Sequence, residues 1–279
     1  MNGAGNKILV LDQRGGAPWP TPEEARAIHR SPGLDYDQMM TLGDRRRADT
    51  LAYVRIYNND GSLAGACGNG TRCVADRLAL ETGLSSFAIE TEAGRIACER
   101  IDAHRYRVDM GQPRFGWRDI PLSHDVGDTN LLRIPLEGAP DFGPASCVDM
   151  GNPHAVFFTP NVAAVDLALW GPRIETHPLF PRKANVSFAQ ILARDHIRLR
   201  VWERGVGATL ACGSAACATL AAAVRRGLAE RHAQIELPGG ALGIAWREDD
   251  GRVLMTGPVE FERETILTPE TFAPARPKP

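Results

Sequence analysis

Two cysteines occupy matching turns, Ala66-Cys67-Gly68-Asn69-Gly70 and Ala211-Cys212-Gly213-Ser214-Ala215, set 145 positions apart. In each case an alternating segment precedes the cysteine and a helix-forming segment follows it. A cysteine just ahead of a helix faces the partial positive charge of the helix N-terminus, which lowers its pKa and raises its thiolate fraction. The unpaired N–H groups of the same helix start form an anion site beside the thiol. In the first turn these are the amides of Gly68, Asn69 and Gly70, and in the second those of Gly213, Ser214 and Ala215. Two such turns at one site would hold a carboxylate between them with a thiol on either side. One thiolate would remove an α-proton while the opposite thiol returns a proton to the other face, which inverts a stereocentre. Backbone dipoles aimed at the carboxylate would stabilise the enediolate-like charge as it forms.

The elements that must position these thiols are themselves duplicated. Tyr53-Val54-Arg55-Ile56-Tyr57 answers Arg198-Leu199-Arg200-Val201-Trp202, Gly94 answers Gly239, and Gly5-Asn6 answers Gly151-Asn152. Gly111 answers Gly257 with a slip of one position. A duplicated chain with one thiol per half predicts two halves that share one site. Period-two alternation predicts strands over Tyr53 to Tyr57, Arg105 to Met110, Ile197 to Trp202 and Ala233 to Leu237. Asn59-Asp60-Gly61 is a turn signal. One helix is predicted from about Asn69 through Val74, Leu78 and Leu80 to a stop at Gly83, and another from about Ser214 to Gly227. The run from Ala215 to Val224 is apolar on every face, so that helix must be buried all round. Two further helices are expected near Pro22 to Arg30 and Val162 to Trp170.

The fold class that follows is α/β of the α+β type. Two pseudo-symmetric domains are expected, each a mainly antiparallel sheet curled around a central helix. The expected boundaries are 1–112 for the half carrying Cys67 and 113–263 for the half carrying Cys212, with a flexible, proline-rich tail over 264–279.

Other chemistries find little support. Cys73, Cys98, Cys147 and Cys217 lack the repeated turn and read as small buried hydrophobes. No Cys-x-x-Cys or His-x-x-x-His spacing exists, so no metal site is expected. Gly3-Ala4-Gly5 and Gly15-Gly16 are too short for a dinucleotide loop. Pyridoxal phosphate needs a Schiff-base lysine, and Lys7, Lys183 and Lys278 sit in no phosphate-cradling context. A cofactor-free route is therefore expected.

With 43% hydrophobic and 24% charged residues, the 279-residue chain has the composition of a globular protein with room for two domains. Its 32 cations against 34 anions give a net charge of -2, which argues against a nucleic-acid partner. The one dense basic run, Arg45-Arg46-Arg47, reads as a solvated loop. No apolar run reaches the ~20 residues of a bilayer span. The N-terminus has no signal-peptide pattern, and six sparse cysteines fit the reducing cytoplasm.

Several motifs in order resemble the diaminopimelate epimerase family across about residues 1–263. They are Gly3-Ala4-Gly5-Asn6, Asp37-Gln38, Tyr57-Asn58-Asn59-Asp60-Gly61-Ser62, Ala66-Cys67-Gly68-Asn69-Gly70-Thr71-Arg72-Cys73, Met150-Gly151-Asn152-Pro153-His154, Ala184-Asn185-Val186, Glu203-Arg204-Gly205 and Ala211-Cys212-Gly213-Ser214. The resemblance implies cofactor-independent interconversion of LL- and meso-2,6-diaminopimelate, on the route to lysine and peptidoglycan, in a cleft between two α/β domains. It makes Cys67 and Cys212 the acid–base pair. It gives Asn6, Gln38, Asn58, Asn152, Asn185, Glu203 and Arg204 to substrate binding, largely at the distal, non-reacting end. It gives the amides at Gly68-Asn69 and Gly213-Ser214 to the reacting carboxylate, and sets His154 and Glu203 near the reacting centre. The small-molecule substrate is the one expected partner, with no nucleic acid and no membrane, and a homodimer is compatible with the sequence. Three features depart from the family pattern: Lys7-Ile8 replaces Asp-Phe, the first strand is short, and Ala215 replaces glycine. The rival readings are a proline- or hydroxyproline-type racemase, and a non-catalytic amino-acid-binding or redox protein. Proline has no distal amino-acid group for the Asn set and Glu203-Arg204 to hold.

Overall fold

The computed structural model describes residues 1–273. Two compact units divide the chain, Met1–Val108 with the segment from Gly257 onward, and Asp109–Thr256.

The first unit contains β1 (Asn2–Gly3), β2 (Asn6–Asp12), α1 (Pro22–Arg30), β3 (Gln38–Gly43), β4 (Tyr53–Asn58), β5 (Leu63–Ala64), α2 (Gly68–Thr82), β6 (Ser86–Thr91), β7 (Gly94–Arg100) and β8 (Arg105–Asp109). The second contains β9 (Ser146–Asp149), β10 (Pro153–Phe158), a 3-10 turn (Val162–Ala164), α3 (Leu167–Glu175), β11 (Asn185–Ala193), β12 (His196–Glu203), β13 (Gly207–Thr209), α4 (Gly213–Arg225), β14 (His232–Leu237), β15 (Gly240–Trp246) and β16 (Val253–Pro258). A last short helix, α5 (Pro269–Phe272), returns to the first unit.

The duplication is complete at the level of topology. The first ladder runs β1-β2-β3-β4-β6-β7-β8 with β5 on β4, and the second runs β9-β10-β11-β12-β14-β15-β16 with β13 on β12. Strand senses match as well. β2–β3 and β10–β11 are parallel, as are β4–β6 and β12–β14. β3–β4 and β11–β12 are antiparallel. Gly5 and Gly151, just ahead of the matched asparagines, both take positive φ, 87° and 89°, a conformation that favours glycine. In each unit strands from both arms of the ladder meet one helix: α2 packs on β1, β2, β3 and β7, and α4 on β9, β10, β11, β14 and β15. That is the curled mixed sheet around a central helix.

The helix ends follow local chemistry. α2 stops at Gly83, which takes the left-handed C-cap conformation. α1 begins with a reciprocal capping box between Thr21 and Glu24. Residues Ala215 to Ala223 of α4 are all buried, as an all-apolar helix requires. Arg45, Arg46 and Arg47 lie exposed in a loop, with Arg46 over the Tyr53 ring.

Three expectations differ from the structure. The helix anticipated over Val162 to Trp170 is two elements, because Asn161 caps the 3-10 turn and Asp166 caps a fresh helix by accepting from Leu169 N–H. The expected boundary near 112 lies inside the second unit, and residues 257–263 group with the first. The second difference arises because Val259 N–H bonds His104 O and Glu260 pairs with Asn2 in backbone bonds. Finally, part of the expected flexible tail is packed: Leu267 and Phe272 lie against the α1 cluster of Ala25, Ile28, Tyr36, Met39 and Tyr57. The rest of that expectation, 274–279, lies outside the described residues.

Candidate functional site

Each unit presents its cysteine as the N-cap of its central helix. Cys67 precedes α2 with φ -149° and ψ 100°, and Cys212 precedes α4 with φ -132° and ψ 109°. The extended cap conformation leaves the first helical N–H groups without intrahelical partners.

Around Cys67 the side chains are amides. Cys67 Sγ accepts the Gly70 N–H at 3.2 Å and lies 3.1 Å from Gln38 Oε1, to which the thiol donates. Gln38 Oε1 also accepts from Asn6 Nδ2 at 3.3 Å, and Gln38 Nε2 donates to Asn58 Oδ1 at 3.5 Å. Asn58 Nδ2 donates to Ser62 Oγ at 3.0 Å, and Ser62 Oγ donates to Asp60 Oδ1 at 2.6 Å. The β3–β4 register places Gln38 opposite Asn58, so one strand pair aligns the chain. Asn69 is buried, with its Oδ1 left without a hydrogen-bond partner. Gly3 packs on it so closely that a Cβ there would lie 3.1 Å from Asn69 O. At Gly70 a Cβ would fall 2.3 Å from Met40 Sδ, so this helix start requires glycine where α4 carries Ala215.

Around Cys212 the side chains are of mixed charge. The sulfur makes no cap bond and instead lies 3.5 Å from Ser214 Oγ. Asn152 Nδ2 donates to Ser214 Oγ at 3.2 Å, and Asn152 Oδ1 lies 2.8 Å from His154 Nε2. The amide oxygen can only accept, so Nε2 carries the ring proton in this network, and buried Nδ1 is left as an acceptor without a partner. Parallel pairing sets His154 beside Asn185. Asn185 Nδ2 donates to Pro153 O at 3.0 Å, and its Oδ1 accepts the Arg204 N–H at 2.9 Å. Glu203 Oε1 accepts from Thr209 Oγ1 at 2.6 Å.

Burial, followed by the neighbouring Glu203 charge, drives the Cys212 pKa well above its ordinary value, against the pull of Ser214 and the Ala215 amide. That amide forms no cap bond to the Cys212 sulfur, whereas the Gly70 N–H reaches Cys67 Sγ at 3.2 Å. Burial, then the Arg204 charge, lowers His154 to about 3 and keeps the imidazole neutral. Cys73 and Cys147 are buried and pushed up to about 12 by desolvation, as unreactive core thiols should be. No group of residues that could hold a metal ion occurs among the described residues, and none of the described helices is long and apolar enough to cross a membrane.

Within the first unit, then, Asn6, Gln38, Asn58, Cys67, Gly68 and Asn69 gather at one helix mouth. Within the second, Asn152, His154, Asn185, Glu203, Arg204, Cys212, Gly213 and Ser214 gather at the other. Sequence reasoning missed Ser62 and Thr209 as side-chain partners. Each lies in the hairpin that follows its strand, at separations of four and six residues from Asn58 and Glu203. A hairpin signal at Asn59-Asp60-Gly61 was the available clue for the first. It missed Glu175 altogether, whose contacts reach 27 and 30 residues along the chain.

A sequence profile of the diaminopimelate epimerase family matches residues 1–116 and 146–262. A protein of Methylocella silvestris named diaminopimelate epimerase is 51% identical over 283 residues, covering 99% of this chain and 96% of its own. Among solved structures, a predicted epimerase of Pseudomonas aeruginosa superposes with a TM-score of 0.66 at 19% identity, over 95% of this chain and 94% of the other. A hydroxyproline epimerase of Agrobacterium vitis with bound trans-4-hydroxy-L-proline gives 0.64 at 15% identity, over 92% and 86%. At such identities the structural likenesses speak for the fold alone.

Proposed function

The chain belongs to the diaminopimelate epimerase family, and from that premise we propose that it is an isomerase interconverting LL- and meso-2,6-diaminopimelate by proton transfer between substrate and the Cys67/Cys212 pair. The observation that carries the reading is the repeated helix mouth, with one cysteine N-cap in each of two units of identical strand order. Two unlike thiols suit a two-base mechanism, which needs one base and one acid at the start of each turnover.

The surroundings of the thiols supply a starting state. Cys212, buried beside Glu203, enters as the thiol. Cys67, half-buried and accepting a backbone N–H, serves as the base by releasing its proton to solvent and giving up its bond to Gln38 Oε1. Cys67 takes the α-proton while Cys212 delivers its proton to the opposite face, leaving Cys67 as thiol and Cys212 as thiolate. The product of one direction thus leaves the pair set for the other. The carboxylate beside the reacting carbon accepts the amides of Gly68, Asn69, Gly213 and Ser214, and those dipoles stabilise the enediolate-like charge. Neutral His154 and Glu203 serve as hydrogen-bonding groups close to that carbon.

The distal amino-acid end needs donors and acceptors held at one geometry. Asn6, Gln38, Asn58, Asn152 and Asn185 supply both, and Arg204 offers a carboxylate a two-pronged partner. A ring amino acid such as proline would leave this set unused. The route requires no cofactor, and a thiol pair kept reduced suits the cytoplasm.

Purified, reduced protein incubated with LL-diaminopimelate in D₂O without added cofactor tests the reading. Formation of meso-diaminopimelate deuterated at one α-carbon is expected. Folded protein that leaves the substrate unlabelled and unepimerised would sink it.

A further inference from the structure

One buried carboxylate takes no part in the steps above. Glu175 ends α3 and is 5% exposed. Its Oε2 accepts the Trp202 indole N–H at 2.7 Å, and its Oε1 accepts the Gly205 N–H at 2.9 Å. Lys183 Nζ approaches Oε1 at 3.4 Å, and the Glu175 backbone oxygen accepts from Ala184 N–H at 3.3 Å. Burial pushes this carboxyl up, but the Trp202, Gly205 and Lys183 partners together outweigh burial and hold it below its ordinary value. The side chain is therefore a fixed anion that joins two segments, 183–185 and 202–205. Those segments carry Asn185 and the Glu203-Arg204 pair.

The fold presses α3 against this point. A Cβ at Gly171 would fall 2.5 Å from the Trp202 ring, so helix and strand meet at a distance only glycine allows. Lys183 adopts φ 58°, a left-handed conformation that an L side chain rarely takes, and its ammonium meets Glu175.

Glu203 and Arg204 are secured by different groups although adjacent. Glu203 is paired with Gly207 in the β12–β13 ladder, and Thr209 holds its carboxylate. Arg204 and Gly205 lie beyond that ladder, in the turn. There the Arg204 N–H bonds Asn185 Oδ1, the Gly205 N–H bonds Glu175, and Arg204 Nη1 reaches Arg182 O at 3.4 Å.

We infer that Glu175 is a positioning residue that sets the Arg204 turn, and through it the grip on the distal end of the substrate, while Glu203, near the reacting centre, is left to Thr209. This rests on the proposed function, in which Arg204 holds that end. The claim is specific: loosening Glu175 weakens substrate capture and spares the proton-transfer step.

Glu175→Gln preserves shape but turns an NH₂ toward either the Trp202 or the Gly205 N–H, leaving one donor facing a donor. Steady-state epimerisation of LL-diaminopimelate should show KM raised about tenfold with kcat within about threefold of the unaltered enzyme. A merely structural carboxylate would instead lower the folded fraction, and so the apparent kcat, at unchanged KM. KM within about twofold, or a fall in kcat alone, overturns the inference. Should Glu175→Gln not fold, Glu175→Asp keeps the charge and shortens the reach, and KM unchanged in that variant overturns it equally. The unaltered enzyme is read in the same assay. If it does not turn over diaminopimelate the proposed function fails; if it does, and the variants keep its KM, only the role of Glu175 fails.

Discussion

The two helix mouths share a backbone and differ in what surrounds the sulfur. Cys67 and Cys212 cap α2 and α4 with nearly the same φ and ψ, in units whose strands follow one order and one set of senses. Yet Cys67 is half-buried, accepts a backbone N–H and sits at the end of a neutral amide chain. Cys212 is buried, lacks the cap bond and faces a carboxylate. The duplicated fold supplies two equivalent helix mouths, and the flanking residues differ: in the proposed mechanism the buried Cys212 beside Glu203 is the acid and Cys67 the base. Gly70 against Ala215 shows the same divergence at a single position. The tighter helix start has room only for glycine beneath Met40.

The largest effect should come from removing either sulfur. Cys67→Ala and Cys212→Ala should each lower epimerisation by more than about a thousandfold, read as meso-diaminopimelate formed from the LL isomer. Survival of activity in either variant would break the comparison at its root, because one mouth would then suffice.

Next in size is the order of alkylation. Under limiting iodoacetamide near neutral pH, peptide mass mapping should find Cys67 modified at least about tenfold faster than Cys212. Glu203→Gln removes the adjacent charge and should narrow that ratio. Faster labelling of Cys212 would invert the proposed resting states.

The second mouth also holds a titratable group that has no counterpart around Cys67. His154 is neutral in the fold, with its pKa at about 3 against 6.5 ordinarily. Below 6.5 the unfolded chain takes up a proton that the folded chain refuses, so stability falls as pH falls from 6.5 toward 3. Between pH 6.5 and 5 urea unfolding should show the unaltered protein losing about 2 kcal/mol more than His154→Gln. Equal losses in the two proteins would mean that the imidazole is not held neutral.

The smallest effect separates the two helix starts. Gly70→Ala should destabilise by about 1–2 kcal/mol, since Met40 must move, whereas Ala215→Gly should change stability by less than about 1 kcal/mol. Thermal melts that rank the two variants the other way would contradict the packing difference.

What the sequence disclosed about this fold was mostly local or repeated. The cysteine caps, the Gly83 stop, the Asn59-Asp60-Gly61 turn and the strand before each cysteine depend on neighbouring residues, and the second copy confirms the first. The break between Val162–Ala164 and Leu167–Glu175 was hidden because Asp166 can be read as an interior polar residue as easily as a cap. The packing of Leu267 and Phe272 was hidden for a different reason. It depends on an apolar surface built by α1 and by strands more than two hundred residues earlier. Glu175 shows the limit most clearly. A single glutamate at the end of a helix carries no pattern, and its role appears only when Trp202, Gly205 and Lys183 converge on it in space. Among the candidate site residues, those in repeated turns were legible from residue type. The hydroxyl partners Ser62 and Thr209 were not, because hairpin geometry rather than spacing brings them to Asn58 and Glu203.

The central claim is that the two mouths act as separate acid and base on one carbon. Initial-rate epimerisation in D₂O, begun from protonated LL-diaminopimelate and followed by mass spectrometry of both isomers, tests it most directly. The account predicts that the first meso product carries one deuterium while the remaining LL substrate stays unlabelled, with the same pattern when the reaction begins from the meso isomer. Product that retains the substrate's own α-proton, in either direction, would show a single base returning what it removed and would contradict the account.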